Sequence, residues 1–262
     1  VRVDDSIFIC DGGSGVRELG IDILRRADHP KKFHMFFSHS HWDHIQGFPF
    51  FTPAYLPNYQ LVIYGTKQGD DKIYNLLSGQ MSSAYFPVDF SELQGQILSD
   101  FIGHGGRELD GVLVDYYPQP HPGGSWAFSF EKNGRKAVYA TDSEIDILIE
   151  NKDESVADLD APRKLPKKLV DFVRGADLLV SDGQYSDEEY KTKEGWGHAR
   201  ATTVCDLAIQ ANVQQLAIFH HDPMHTDDMV EDKIAICQRR IDSFGGKVRV
   251  FGAREGVELR LD

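Results

Sequence analysis

Residues 37–44 read Phe37-Ser38-His39-Ser40-His41-Trp42-Asp43-His44 and are the most informative stretch of this chain. Three imidazoles and one carboxylate fall within six residues, directly after an apolar run that ends at Phe37. Imidazole nitrogen and carboxylate oxygen suit Zn, Mn or Fe. Because an ordinary surface loop is not so dense in ligands, the stretch predicts a metal site.

The spacing of these ligands favours two metal ions over one. Residues i and i+2 of a strand share a face, so His39 and His41 can point together as the chain leaves a strand. Asp43 and His44 are adjacent and must diverge. We therefore expect one ion to take the first pair and a second ion the other pair, with the ions roughly 3.5–4 Å apart. A chance histidine-rich turn and a lone structural zinc are the alternatives, and ligand-type residues later in the chain argue against both.

The pattern His-x-His-x-Asp-His resembles the defining motif of the metallo-β-lactamase-fold hydrolases, and the resemblance runs along nearly the whole chain. Residues 8–15 (FICDGGSG) are similar to the family's early strand ending in Asp-x-Gly. The resemblance implies that His121 is the next histidine ligand and Asp142 the bridging aspartate. It places the last histidine ligand at His220, directly after an apolar run, with His221 as its rival.

A second motif is similar to one branch of these hydrolases, which includes tRNA 3′-processing endonucleases and cyclic-phosphate phosphodiesterases. Residues 195–198 (GWGH) resemble the Gly-His-Ser-Thr element of that branch, although Ala199-Arg200-Ala201 stands where Ser-Thr is common. The resemblance implies that His198 protonates a leaving alkoxide or stabilises charge on phosphoryl oxygens. A packed histidine at the start of a helix is the structural alternative. Arg200 is a candidate phosphate contact or a solvated cation.

The resemblance implies two divalent metal ions as cofactors, Zn or Mn with Fe as a further option. The implied ligands are His39, His41 and His121 for the first ion, Asp43, His44 and His220 for the second, and Asp142 between them. The implied reaction is cleavage of a small or cyclic phosphodiester by a metal-bound hydroxide. Asp43, which could steer that hydroxide, and His198 are the expected catalytic residues. The alternatives are tRNA 3′ processing, hydrolysis of another ester, lactam or thioester, and a non-catalytic metal-binding module.

Composition limits the expected partners. The net charge of the 262 residues is −13, so binding would gain little from phosphate counterion release, and we expect no large nucleic-acid footprint. No apolar run reaches the length of a membrane span. Three scattered cysteines, Cys10, Cys205 and Cys237, indicate buried thiols in a reducing cytosol. We expect a cytoplasmic enzyme with a small-molecule phosphodiester substrate, no membrane partner and, from the resemblance, a homodimer.

The order of strands and helices predicts an α/β fold, a four-layer αββα sandwich, and the resemblance implies that this sandwich is of the metallo-β-lactamase type. We expect one domain over residues 1–262, and because the chain begins at Val1 already inside a family strand, the family's N-terminal hairpin is expected to be missing. The predicted strands are 7–10, 33–37, 61–64, 112–117, 126–130, 137–140, 178–180, 216–219 and 248–251. The predicted helices are 16–26, 71–77, one opened by His198, and 227–244.

Further polar residues have predicted supporting roles. Asp11 is expected to support the ligand loop. Asp182, at a strand end, is expected either to hydrogen-bond a ligand histidine or to be solvated. His34 is expected to be a packed core histidine, and His104 and His225 to be exposed in polar loops.

Overall fold

The computed structural model describes residues 1–27, 29–65, 72–153, 158 and 161–261. The chain divides into two compact units, Val1–Tyr116 and Tyr117–Asp262. The expectation of a single domain stays a prediction. None of the helices in the described ranges combines the length and apolarity that crossing a bilayer requires.

The first unit contains a five-stranded sheet. Its strands, in spatial order, are β1 (Arg2–Val3), β2 (Ser6–Cys10), β3 (Lys32–Phe36), β4 (Gln60–Gly65) and β5 (Gln96–Phe101). β1 and β2 are antiparallel, and the other neighbours are parallel. The helices are α1 (Gly15–Arg25), α2 (Trp42–Ile45) and α3 (Lys72–Gln80).

Parallel pairing of β2 and β3 positions the ligand loop. Cys10 pairs with Phe36, so both strands end at the same edge of the sheet. The middle strands are nearly continuous apolar runs, as parallel strands buried on both faces require. Their side chains form the core of this unit with Val16 and Ile23 of α1. The residues that follow β2 and β3 are thus presented together from a rigid base.

The second sheet has seven strands. Their spatial order is β12 (Arg249–Gly252), β11 (Gln215–Phe219), β10 (Leu178–Asp182), β9 (Arg135–Ala140), β8 (Ser125–Lys132), β7 (Val112–Gln119) and β6 (Arg107–Leu109). The boundary between the two units falls inside β7. β9 to β12 are parallel, whereas β8 and β9 form an antiparallel hairpin. The helices are α4 (Lys167–Val173), α5 (Asp187–Tyr190), α6 (Ala201–Gln210) and α7 (Asp227–Ser243).

The α/β class with two sheets and flanking helices is confirmed, and every predicted strand is present with its ends within two residues of the prediction. The hairpin turn at Asn133-Gly134 has both residues at positive φ, which Asn and Gly tolerate best. Asp71, predicted as the first residue of a helix, lies outside the described residues. Three strands were missed: β1, β5 and β6 are short or half-exposed edge elements without a clear alternating pattern.

One helix start was predicted wrongly. His198 does not open a helix, because α6 begins at Ala201 with Arg200 as its N-cap. The carboxylate of Asp146 accepts the backbone N–H of Arg200 and the hydroxyl of Thr203, so a distant acid supports the helix start. His198 therefore lies in the preceding loop.

Candidate metal centre

The structure brings the four ligand-type residues of the first unit together after β3: His39 and His41 lie in the loop that follows the strand, and Asp43 and His44 lie in the short helix α2. The ring of His39 lies 4.4 Å from that of His41 and 4.3 Å from that of His44, measured between ring centroids. His39 and His44 are buried, whereas His41 and Asp43 are exposed. Two rings are thus fixed by packing and two side chains face outward.

Asp11 orients this group from beneath. It is buried and accepts hydrogen bonds from the backbone N–H of Ser38 at 2.6 Å, the hydroxyl of Ser38 at 2.8 Å and Nδ1 of His44 at 2.8 Å. With Nδ1 engaged, Nε2 of His44 is directed elsewhere and lies 3.2 Å from Oδ2 of Asp43. A carboxylate that fixes the tautomer of a ligand histidine is typical of metal sites. The predicted supporting role of Asp11 matches these contacts.

Two glycines let the backbone approach this loop closely. A Cβ on Gly13 would lie 2.5 Å from the carbonyl oxygen of Asp43, and one on Gly47 would lie 2.0 Å from that of Gly13. Gly12 also donates to the carbonyl of His44 at 2.7 Å. Glycine is therefore needed at positions 13 and 47 for this close backbone packing.

The second unit presents its own ligand-type residues where strands end. Asp142 follows β9 and His220 follows β11, and both have positive φ. Oδ1 of Asp142 lies 3.5 Å from Nδ1 of His220, and its Oδ2 lies 3.8 Å from Nε2 of His121. Asp142, His198 and His220 each offer a ligand atom, and these atoms lie within 4.8 Å of one another. The side chains predicted for this part of the site are thus brought together.

The orientation of His121 is set by the loop that precedes His198. Its Nδ1 lies 2.8 Å from the carbonyl oxygen of Gly197, so Nδ1–H donates and Nε2 is left to face Asp142. In His121, as in His44, Nδ1 is hydrogen-bonded to an oxygen acceptor, and Nε2 is the nitrogen that remains for a ligand role.

Asp182 orients His198. Its side chain is fully buried, and its Oδ2 lies 2.8 Å from Nδ1 of His198. The carboxylate also accepts the backbone N–H groups of Ser143 and Gln184, both at 3.0 Å. Of the two expectations for Asp182, the solvated strand end is wrong. The ring of His198 stacks on that of His220, with 4.9 Å between centroids.

The two adjacent histidines after β11 differ in environment. Nδ1 of His220 lies 3.5 Å from Oδ1 of Asp142, whereas His221 belongs to none of the groups of ligand-type side chains among the described residues. Burial, and then the charge of Lys233, lowers the pKa of His221 to about 4, so its ring is neutral at pH 7. The geometry favours His220 over His221, and its role as a ligand stays a prediction.

Other sequence predictions can be compared with the structure. His34 is buried and hydrogen-bonded to Tyr64 and Asp110, and His104 is exposed, both as predicted. His225 was predicted wrongly: its side chain is 4% exposed because its Nε2 pairs with Glu189 at 2.7 Å. The cysteines are free thiols, and Cys205 and Cys237 are buried.

Two acids that support the second unit's ligands were missed. Asp146 pairs with Arg200, whose Nε lies 2.6 Å from Oδ1, so Arg200 is neither a solvated cation nor a free phosphate contact. Glu144 is buried and binds the loop at residues 195–197. The alternation Asp142-x-Glu144-x-Asp146 is visible in the sequence, but nothing local shows that the last two acids turn inward.

The architecture defines the class of protein: the chain has the metallo-β-lactamase fold. The solved structure of the metallo-β-lactamase fold protein YhfI from Bacillus subtilis matches with a TM-score of 0.64 and 17% identity, covering 95% of this chain and 85% of that one. A diphosphatase of the PhnP family matches with a TM-score of 0.62 and 16% identity over 97% and 80% of the two chains. The short form of human tRNase Z matches with a TM-score of 0.61 and 17% identity over 85% of each chain.

The curated sequence relatives carry one name. Ribonuclease Z of Sulfurisphaera tokodaii is 34% identical over 61 residues, which is 23% of this chain and 20% of that protein. Ribonuclease Z of Brevibacillus brevis is 27% identical over 139 residues, which is 51% of this chain and 33% of that protein. The matched stretches thus span a fifth to a third of these relatives. No protein-family profile matches the chain. The chain is therefore a metallo-β-lactamase-fold protein related to hydrolases, with His and Asp side chains grouped as metal ligands are.

Proposed function

We propose that this protein is a binuclear-metal phosphodiesterase that cleaves a small or cyclic phosphodiester. The observation that carries the proposal is the pair His198–Asp182: a buried carboxylate holds a half-buried imidazole beside Asp142 and His220. Phosphodiester cleavage expels an alkoxide that needs a proton, and an oriented histidine beside ligand-type residues can supply it. A site that cleaves only lactams gives no comparable reason for a buried carboxylate to orient a histidine beside the ligand-type residues.

The donor chemistry fits two divalent ions. We assign the ligands as the motif implies: His39, His41 and His121 for one ion, Asp43, His44 and His220 for the other, and Asp142 for both. Imidazoles and carboxylates of this kind accommodate Zn, Mn or Fe. In support, His44 and His121 each have Nδ1 tied to an oxygen acceptor, which leaves Nε2 as the ligand atom.

The chain's own residues would divide the remaining work. When bound, the ions supply charge neutralisation and a water of lowered pKa. Asp43, which is exposed on α2, would accept a hydrogen bond from the attacking water and direct it. His198 would give its Nε2 proton to the leaving oxygen while Asp182 keeps its ring in place.

The charge of the chain and the names of its relatives point to different substrates. A net charge of −13 disfavours a long polyanion and favours a small diester. Trp196 is exposed, and Nζ of Lys193 lies 3.9 Å from its ring centroid, so the two residues offer an aromatic face and a cation next to His198.

The relatives named ribonuclease Z support processing of tRNA 3′ ends as the second candidate. A cytoplasmic location and a homodimer stay predictions.

Hydrolysis of bis(p-nitrophenyl) phosphate tests the proposal. Metal-free protein is reloaded with Mn or Zn and assayed beside the variants Asp43→Ala and His198→Ala, with His104→Ala as a control because that histidine is exposed outside the ligand groups. We expect metal-dependent turnover that falls in the first two variants only, and little turnover of p-nitrophenyl phosphate, a monoester. Absence of turnover at full metal occupancy would refute the proposal. Cleavage of a tRNA precursor at rates above those for cyclic nucleotides would favour the second candidate.

A further inference from the structure

Glu144 is a buried acid with no part in the chemistry proposed above. It lies two residues after Asp142 and is 3% exposed. Its Oε1 accepts the hydroxyl of Tyr190 at 2.7 Å and the backbone N–H of Gly195 at 2.6 Å, and its Oε2 accepts the N–H of Gly197 at 2.8 Å. Burying a carboxylate is costly unless it is hydrogen-bonded in this way.

The two amides that Glu144 binds belong to the loop that delivers His198. Gly195 and Gly197 have φ of +84° and +92°, a region that glycine adopts without strain. This conformation turns both N–H groups, which flank Trp196, toward one carboxylate. The backbone immediately before His198 is therefore anchored at two points by one side chain.

The same loop also fixes His121. Gly197 donates its N–H to Glu144, while its carbonyl oxygen accepts from Nδ1 of His121 at 2.8 Å. A Cβ on Gly197 would lie 2.5 Å from that Nδ1, so the glycine packs directly on the ring. The backbone N–H of Glu144 donates to the carbonyl of Pro120 at 2.8 Å, next to His121 in the chain. Glu144 thus supports His121 indirectly from two places: its side chain binds Gly197, and its main chain binds Pro120.

We propose that Glu144 is a positioning residue that sets the orientation of His121 and the place of His198, and thereby the metal affinity of the site. The inference rests on the proposed function for the role of His121 as a ligand. Metal ligands depend on the groups that orient them, and losing such a group typically lowers metal affinity about 10- to 100-fold. A purely structural role would instead act through folding stability alone.

The variant Glu144→Gln tests this directly. A carboxamide has one acceptor oxygen, so its NH₂ group must face a donor N–H of either Gly195 or Gly197. We expect zinc affinity, measured by competition with a chromophoric chelator, to fall about 10- to 100-fold. In metal-free protein we expect faster hydrogen exchange at the amides of residues 195–198 and a shift of the His121 ring ¹⁵N resonances toward mixed tautomers.

Two controls separate positioning from stability. Tyr190→Phe removes a bond to the same carboxylate but leaves both loop amides bound, and Glu131→Gln makes the same chemical change at an exposed position. Both should keep the zinc affinity and His121 resonances of the wild type, although Tyr190→Phe should unfold at a lower temperature.

Unchanged zinc affinity and loop exchange in Glu144→Gln would overturn the inference, as would an equal loss of affinity in Tyr190→Phe. If Glu144→Gln does not fold, Glu144→Asp replaces it: the charge is kept, but the shorter side chain cannot reach both amides. Wild-type zinc affinity in that variant would likewise overturn the inference. If the wild type binds zinc and cleaves no phosphodiester while Glu144→Gln binds zinc more weakly, the positioning role stands and the proposed function fails.

Discussion

Replacing Asp11 with Asn should weaken metal binding without disturbing the backbone. Asp11 has φ of +61°, a conformation that Asn tolerates about as well as Asp, so the substitution isolates the loss of the carboxylate. In the wild type, Oδ1 accepts the N–H of Ser38, and Oδ2 accepts the Ser38 hydroxyl and Nδ1–H of His44. Asn can replace only one of these oxygens with an acceptor.

The size of the effect follows from these contacts. If the amide oxygen keeps the N–H of Ser38, the NH₂ group replaces Oδ2 and donates to Nδ1 of His44. The imidazole proton then moves to Nε2, the atom that lies 3.2 Å from Asp43 and would bind a metal. Restoring the productive tautomer costs about one charge-assisted hydrogen bond, about 1.5–3 kcal/mol. That corresponds to roughly a 10- to 150-fold rise in the zinc Kd.

Chelator competition measures that Kd for the wild type, Asp11→Asn and the surface control Asp22→Asn, which lies on the exposed side of α1. Circular dichroism checks that each variant is folded. Wild-type affinity in folded Asp11→Asn would refute the argument that this carboxylate fixes the tautomer of His44. An equal loss in Asp22→Asn would show that general charge, and not the contact, sets the affinity.

Three further predictions concern the second unit. Asp182→Asn should lower kcat on a phosphodiester about 10- to 100-fold at saturating zinc, with little change in KM, because His198 loses the acceptor that orients it. An unchanged kcat would exclude an orienting role for Asp182. Gly197→Ala should lower the free energy of unfolding in urea by about 1–3 kcal/mol, because its Cβ would overlap the His121 ring at positive φ, and a stability equal to wild type would contradict the packing. Although burial opposes ionisation, hydrogen bonds from the Ser186 backbone and His225 lower the pKa of Glu189 to about 2. An acid whose pKa is lowered by folding stabilises the folded state at pH values above the unfolded pKa, near 4.5, and this stabilisation disappears as the pH falls toward 2. After allowance for solvent screening, Glu189→Gln should therefore lower the free energy of unfolding at pH 7 by on the order of 1–2 kcal/mol. The difference in free energy of unfolding between wild type and Glu189→Gln, measured in urea, should become smaller as the pH falls from 5 to 3. A difference that does not change with pH would contradict the stabilising role of the Glu189 carboxylate.

Much of the fold was predictable because its strands are buried and carry strong local patterns. The apolar runs before Asp11, His39 and His220 identify strands without any tertiary information, and Asn133-Gly134 identifies a hairpin. The edge strand β5 was not predictable, because half of its side chains face solvent and the sequence lacks a clean alternation. The start of α6 was missed because its support comes from Asp146, which is 54 residues away in the chain.

The linear order of residues is enough to identify the side chains that can act as ligands, because they form a dense His-x-His-x-Asp-His pattern at the end of a strand. How those side chains are oriented depends instead on contacts from distant parts of the chain. Asp11 reaches His44 across 33 residues, and Gly197 reaches His121 across 76. Glu144 contacts the loop before His198 across 51 and 53 residues. The physical reason is that tautomer and ring orientation depend on one oxygen within hydrogen-bond distance, and chain folding, not local spacing, brings that oxygen into place.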